Sequence, residues 1–457
     1  MGAQVSALFA RHALLPDGWR DDVLLEWDSG GTITAVTVGA PQGTAEEARF
    51  VIPGMVNLHS HSFQRALGGM TEKAGEGQDS FWTWRELMYR FARRITPQQM
   101  EAIAMQLYIE CLRHGYTSVC EFHYVQRDPN GEMYVPRPAE TAHRVIAAAR
   151  TTGIGITMLP VLYTYSGFGD QQLKPEQLRF RTNVRDVLRM IDSLECERGS
   201  QVEVGVAPHS LRAASIAQVC RLLDAMPQQR PVHIHIAEQQ AEVEQSIAYS
   251  GRRPVRYLLD EVRVDQRWCL VHATHLDAGE IESIAKSGAV AGLCPTTEAN
   301  LGDGLFPLSA FLEAGGRFGV GSDSHVSQSP VEELRWLEYG QRLVQQRRNV
   351  AVDGAERNVG DFLWQRALAG GAQATGRPVG QLAAGRRADL LVLDDGHPNL
   401  YGIDRTDALG AFIFSGNDNL VRHVMCGGQW VVRDGRHPEQ DAVAQLFRET
   451  ITELRRF

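Results

Sequence analysis

The sequence predicts an α/β fold: a closed (β/α)8 TIM-type barrel carrying a small composite β-sandwich domain built from both chain ends. Three observations predict it. Eight short apolar runs alternate with stretches whose apolar residues recur at helical spacing, and buried strands joined by helices run parallel. The two ends of the chain read as strands without that alternation. Histidines and an aspartate stand at the C-terminal ends of several of the eight runs, and in a barrel those ends converge on one mouth.

Near the N-terminus, Val23–Trp27 and Thr32–Val38 read as strands joined by a hairpin turn at Gly30–Gly31. The eight barrel strands are then Ile52–Leu58, Ser118–His123, Ile154–Val161, Val202–Pro208, Pro231–Ile236, Trp268–His272, Ala289–Cys294 and Arg317–Ser322. Between them Glu101–His114, Ala139–Thr151, Gln177–Leu194, Ser215–Ala225, Ala241–Leu259 and Gly279–Lys286 carry helical spacing. Phe63–Thr96 is a long insert after the first strand, and long loops at that face of a barrel usually serve the site. Beyond the eighth strand, Val331–Gly376 reads as helical. A strand follows Gly385, and Leu420–Met425 with Gln429–Arg433 forms a second hairpin, with no helix expected among these late strands. The predicted division is residues 1–52 plus 377–457 for the β domain and 53–376 for the barrel. A doubly wound open sheet is the alternative architecture; no G-x-G-x-x-G follows the first strand, which disfavours a dinucleotide site.

Composition narrows the function. The 457 residues are 43% hydrophobic and 22% charged, ordinary for a soluble globular protein. A net charge of -9 argues against nonspecific nucleic-acid binding, and it means that an acidic substrate needs locally placed arginines. Seven cysteines, none in C-x-x-C, indicate neither a disulfide framework nor a cysteine zinc site and fit a reducing cytosol. No apolar run is long enough for a membrane span and no secretory signal is evident, so a cytoplasmic location is expected. Met1–Ser6 matches the bare N-myristoylation pattern, but no polybasic stretch follows and no lipid anchor is expected.

His59 and His61, two apart at the end of the first strand, face the same side. His235 closes the fifth strand in His233-Ile234-His235-Ile236-Ala237-Glu238, His272 ends the sixth, and Asp323 follows the eighth in Ser322-Asp323-Ser324. Singly, each reads as readily as a satisfied polar residue at a strand end. Together, His59, His61, His235 and Asp323 supply three nitrogens and one carboxylate, a set that suits one Zn2+, with Fe2+ and Mn2+ also compatible. Between His61 and His235 only Lys73 and Lys174 occur, neither in a predicted strand, so a lysine bridging two metals is not expected.

The order H-x-H, H-x-x-E, H, S-D-S resembles the deaminase-like branch of the amidohydrolase superfamily, over essentially the whole chain. Within it, the blocks His59–Leu67 and Phe81–Tyr89 resemble those of iminohydrolases that release ammonia from a linear amidine bearing two carboxylates, in histidine degradation. The resemblance implies metal-dependent hydrolysis at a C=N carbon. Asp323 and His272 are the candidates to take water's proton, and Glu238 protonates the imino nitrogen and then the leaving amine. Arg212 and Arg85 are the candidates to hold the dicarboxylate, since a guanidinium binds a carboxylate bidentately. By resemblance Gln64, Tyr124 and His209 also line the substrate, and the protein is a homodimer. Two alternatives stay open: a deaminase or hydrolase of the same branch acting on a purine or s-triazine ring, and a catalytically silent binding relative.

Overall fold

Pro53 and Gly54 divide the run expected as a single first strand. The computed structural model, which describes residues 6–73, 81–354 and 356–456 (the side chains of 81–83 excepted), puts Glu46–Pro53 in a peripheral sheet, where Ile52 pairs with Leu391. The first barrel strand is Met55–Ser60. Proline ends the ladder for want of an N–H. At Gly54 a Cβ would collide with the Thr117 side chain, so only glycine lets the chain cross from sheet to barrel there. The Met1–Val5 part of the myristoylation pattern and the side chains of Phe81, Trp82 and Thr83 lie outside the described residues.

The other seven barrel strands are Tyr116–His123, Gly155–Leu162, Val202–Val204 continued at Ala207–Pro208, Val232–Ile236, Trp268–His272, Val290–Leu293 and Arg317–Val320. All their pairings are parallel. Two single bridges complete the ring: Val206 with Val232 joins strand four to five, and Ser60 with Asp323 joins eight to one. Nearly every residue of these strands is buried, because helices cover one face and the opposite side chains fill the barrel.

The helices between strands fall where periodicity puts them, with three exceptions; one is Ala241–Leu259, which divides into Gln240–Ser250, ended by left-handed Gly251, and Pro254–Glu261, opened by its proline. Gln177–Leu194 is a 3-10 turn, Pro175–Phe180, followed by a helix at Val184–Leu194 that Asn183 caps. Two short helices, Pro295–Leu301 and Leu308–Glu313, follow the seventh strand, in a segment to which the periodicity assigns no helix. Val331–Gly376 resolves into Pro330–Gln345 and Val359–Thr375. The second lies against strands one and eight: a Cβ at Gly370 would collide with the Phe318 carbonyl, and one at Gly371 would stand 2.8 Å from Val56 Cβ.

Both chain ends share one seven-stranded sheet. Its order is Gln429–Val432, Val421–Cys426, Leu390–Leu393, Glu46–Pro53, Ser6–Leu15, Gly18–Trp27, Ile33–Val38. The sheet curls until its ends meet: Ile33 N donates to Arg386 O at 2.8 Å and Trp27 Nε1 to Gly428 O at 3.1 Å. The sandwich-like interior holds Leu8, Leu25, Trp27, Val51, Leu390 and Met425. One expectation is corrected. A helix, Arg405–Phe414, does stand between the late strands Leu390–Leu393 and Val421–Cys426; Asp404 caps it and its buried Leu409, Phe412 and Ile413 hold it down. No helix among the described residues is long and apolar enough to cross a membrane.

Candidate metal centre and active site

Closure of the barrel makes the site. Asp323 N donates to His59 O at 3.0 Å and His61 N to Asp323 O at 3.2 Å, so the ring-closing contact itself carries three of the four expected ligands. Gly321 permits the approach, since a Cβ there would stand 2.7 Å from His59 N. Asp323 takes a left-handed φ of 45° just past its strand, and His272 does so at the end of its own, φ 67°. Such backbone strain in non-glycine residues gathers at functional sites.

His59 Nε2 lies 3.1 Å from His61 Nε2 and 3.0 Å from His235 Nε2, and Asp323 Oδ1 lies 3.4 Å and 3.2 Å from the first two. A tetrahedron of ligands about 2.05 Å from a zinc-sized ion has edges of about 3.3 Å. His61 Nδ1 donates to Phe122 O at 2.8 Å and His235 Nδ1 to His209 O at 3.0 Å. Those bonds spend the single ring proton of each neutral imidazole and leave the Nε2 lone pairs converging. Burial keeps His59, His61 and His235 uncharged, holding each below the ordinary histidine range. The His61 and His235 lone pairs and the Asp323 carboxylate converge on one point beside His59 Nε2, so the donor set fits a divalent metal. His233, on the same face of its strand as His235, instead has Nε2 2.9 Å from Ala374 O.

Beside the ligands stand Glu238 and His272, both buried. His272 Nε2 is 3.7 Å from Glu238 Oε1 and 3.8 Å from Asp323 Oδ2, between the two carboxylates. Burial alone would discharge His272; Glu238, Glu298 and Asp323 overcome it and raise the imidazole to about 10. Burial pushes the Glu238 carboxyl up to about 7, against the pull of His272 and Arg212. Two acids that the sequence did not single out complete this group. Glu298 Oε1 lies 3.2 Å from His272 Nδ1 and also accepts Cys294 N at 2.8 Å, orienting the ring. Asp303 accepts from the Gln239 side chain, and its donor atoms cluster with those of Glu238 and His272 within 4.8 Å. The only signal for them was acidity in Glu298-Ala299-Asn300-Leu301-Gly302-Asp303, a segment to which the periodicity assigns no element.

All five expected substrate residues, Gln64, Arg85, Tyr124, His209 and Arg212, line one cavity with three of the four candidate ligands, His61, His235 and Asp323. Gln64 Nε2 donates to Tyr124 OH at 2.7 Å, while its buried Oε1 has no donor among the described residues. Arg212 is buried, with Nη2 3.9 Å from both Glu238 and Glu242. Arg85, on the insert helix Phe81–Ala92, lies 5.5 Å over the Tyr89 ring. Tyr89 and Tyr163 also face the cavity; Tyr89 closes the Phe81–Tyr89 block that carries the resemblance, while nothing in the sequence marked Tyr163.

These features define a class. A model of the amidohydrolase family matches residues 50–431, and the chain belongs to that family. A second model, described as formimidoylglutamate deiminase HutF, N-terminal domain, matches residues 5–49. A formimidoylglutamate deiminase of Pseudomonas aeruginosa is 51% identical over 98% of this chain and 100% of its own. A 5-methylthioadenosine/S-adenosylhomocysteine deaminase of Natronomonas pharaonis is 27% identical over 93% of this chain and 91% of its own. Among solved structures, an amidohydrolase from Brucella melitensis superimposes with TM-score 0.94 at 43% identity, covering 98% of this chain and 99% of its own. An adenosine deaminase from Xanthomonas campestris with bound zinc shares the fold, at TM-score 0.79 and 21% identity over 99% and 98% of the two chains.

Proposed function

We propose that the enzyme hydrolyses N-formimidoyl-L-glutamate to N-formyl-L-glutamate and ammonia, a step of histidine degradation. The observation that carries this reading is one cavity with a four-ligand metal centre at its floor and two arginines in its wall, in a chain that matches a deiminase of that name along its whole length. A metal floor suits an amidine carbon; guanidinium walls suit a dicarboxylate.

The ion we assign is zinc, one per subunit, held by His59, His61, His235 and Asp323. When bound it supplies Lewis acidity, drawing the pKa of water from 15.7 toward about 7. Asp323 accepts the proton of the attacking water. His272, fixed by Glu298, faces the reacting carbon and offsets charge as the tetrahedral stage forms. Glu238 protonates the imino nitrogen, takes the remaining proton from the hydroxyl of the tetrahedral stage, and gives it to the amine that leaves as ammonia when the C–N bond breaks; the proton held on Asp323 then returns to Glu238. Arg212 and Arg85 hold the two carboxylates, and Gln64, Tyr124 and His209 contact the chain between. The orphaned Gln64 Oε1 suits an N–H of the amidine. The proposal extends to a cytoplasmic homodimer, divided into a β domain of residues 1–52 plus 377–457 and a barrel of 53–376.

The test is ammonia release from N-formimidoyl-L-glutamate, with guanine as the competing substrate and metal analysis on the same sample. Turnover of guanine and none of formimidoylglutamate, or full activity without a stoichiometric ion, would overturn it.

A further inference from the structure

The cavity wall holds a hydrogen-bond network with one proton to spare. Gln177, fully buried on the Pro175–Phe180 turn, donates through Nε2 to Tyr163 OH at 2.8 Å and to Tyr89 OH at 3.3 Å. Its Oε1 accepts Lys174 N at 3.0 Å, which fixes the amide orientation. The two hydroxyls lie 3.3 Å apart. A phenol has one proton to give. One of the two is used between the hydroxyls, and the other has no acceptor among the described residues. Both tyrosines line the cavity with Arg85 and Arg212. Burial raises Tyr163 well above the ordinary phenol range, so it stays a donor at neutral pH. A buried donor lacking an acceptor is costly, and here the acceptor can come with the ligand.

Position identifies the acceptor. The His209 ring centroid is 4.8 Å from that of the ligand His235, and the Tyr163 ring is a further 4.6 Å from His209. Arg85 and Arg212 both stand within electrostatic reach of Tyr163, and Tyr163 lies two ring contacts away from the candidate metal centre. In a formimidoyl amino acid the carboxylate on Cα is close to the amidine carbon, and the side-chain carboxylate is two carbons farther.

We propose that the Tyr163 hydroxyl, held by Gln177, donates to the side-chain carboxylate of the substrate and, with Arg85, selects a glutamyl chain over one ending in a neutral amide. This rests on the formimidoylglutamate reading above and adds to it a specificity residue and the position that holds it.

The test compares wild type, Tyr163→Phe and Gln177→Leu on N-formimidoyl-L-glutamate and N-formimidoyl-L-glutamine. Binding of the product N-formyl-L-glutamate to the metal-loaded enzymes is measured by calorimetry. Loss of a bond to a charged group should raise KM for the glutamate substrate roughly 10- to 100-fold in Tyr163→Phe, with kcat nearly unchanged. The glutamate-over-glutamine ratio of kcat/KM should fall with it, and product binding should weaken in step. Gln177→Leu should move the same quantities in the same direction by a smaller factor, with metal content retained. Unchanged selectivity and product affinity in Tyr163→Phe would overturn the inference, as would a fall in kcat alone. Failure of the wild type to turn over formimidoylglutamate would overturn the functional reading instead, while the product-binding arm still decides the role of Tyr163.

Discussion

Glu238 and Arg212 illustrate how differently two side chains 3.9 Å apart are expected to fail. Glu238→Gln keeps the shape of the acid but removes its exchangeable proton. Turnover should drop by about 10²–10⁴-fold with metal content unchanged, measured as ammonia release beside metal analysis. Arg212→Ala removes a cation from a buried site that also holds Glu238 and Glu242, so it costs recognition and leaves like charges facing each other. KM should rise and kcat/KM should fall by roughly 10²-fold or more, with Arg212→Lys intermediate because a point charge replaces a fork. An unchanged KM would take Arg212 out of the pocket. At this scale the candidate metal ligands were legible because strand geometry converts i, i+2 spacing into a shared direction. Glu298 and Asp303 were not, since no local pattern tells which acids of an irregular segment turn inward. Tyr163 is a single aromatic just past a strand, and only the network it joins marks it out.

The cavity wall facing the candidate metal centre is assembled from two segments, the insert helix Phe81–Ala92 and the loop after the third barrel strand. Arg179, fully buried, fastens them. Its Nη1 donates to Ile95 O at 2.8 Å and to Ala92 O, and its Nε to Arg127 O at 2.9 Å. Burial lowers its pKa against the pull of Tyr134 and Asp128, and the carbonyls satisfy its remaining donors. Arg179→Met would fill most of the volume and leave three carbonyls without a donor, each worth about 1–3 kcal/mol. The expected outcome is a clear fall in Tm and a rise in KM that exceeds any change in kcat, because the helix bearing Arg85 and Tyr89 loses its anchor. A variant that loses kcat while holding KM would show that this wall does not position substrate. Sequence periodicity placed most elements and marked the insert as serving the site. It missed starts set by caps: Thr96 with Gln99 begins the Pro97–His114 helix earlier than its apolar stripe does, and Asn183 begins Val184–Leu194 after a turn. It could not see Arg179, whose partners lie 45 to 87 residues away.

For the whole molecule, eight apolar runs made the barrel legible, whereas the curl of the sheet was not, because it depends on pairings such as Trp27 with Gly428 that lie 401 residues apart. Sheet and barrel also meet where Trp19 Nε1, on Gly18–Trp27, donates to Asp361 Oδ1 at 3.3 Å in the first turn of the helix that backs strands one and eight. Burial lifts the Asp361 carboxyl to about 7, against the pull of Trp19. In the unfolded chain an aspartate titrates near 3.9. Between these values the folded protein keeps a proton that the unfolded chain has released. Its stabilising contribution is therefore complete below about pH 4 and disappears as pH rises through about 7. Asp361→Asn cannot ionise, yet it keeps an oxygen for Trp19. The variant should match wild type near pH 4, gain on it steadily between pH 4 and 7, and be more stable by on the order of 2 kcal/mol at pH 8, where the wild type buries a charge at this junction. Thermal unfolding of both proteins with metal at saturation, followed across that range, measures the difference. Parallel curves would mean that Asp361 is solvated when ionised, and that the junction between sheet and barrel opens without cost to the fold.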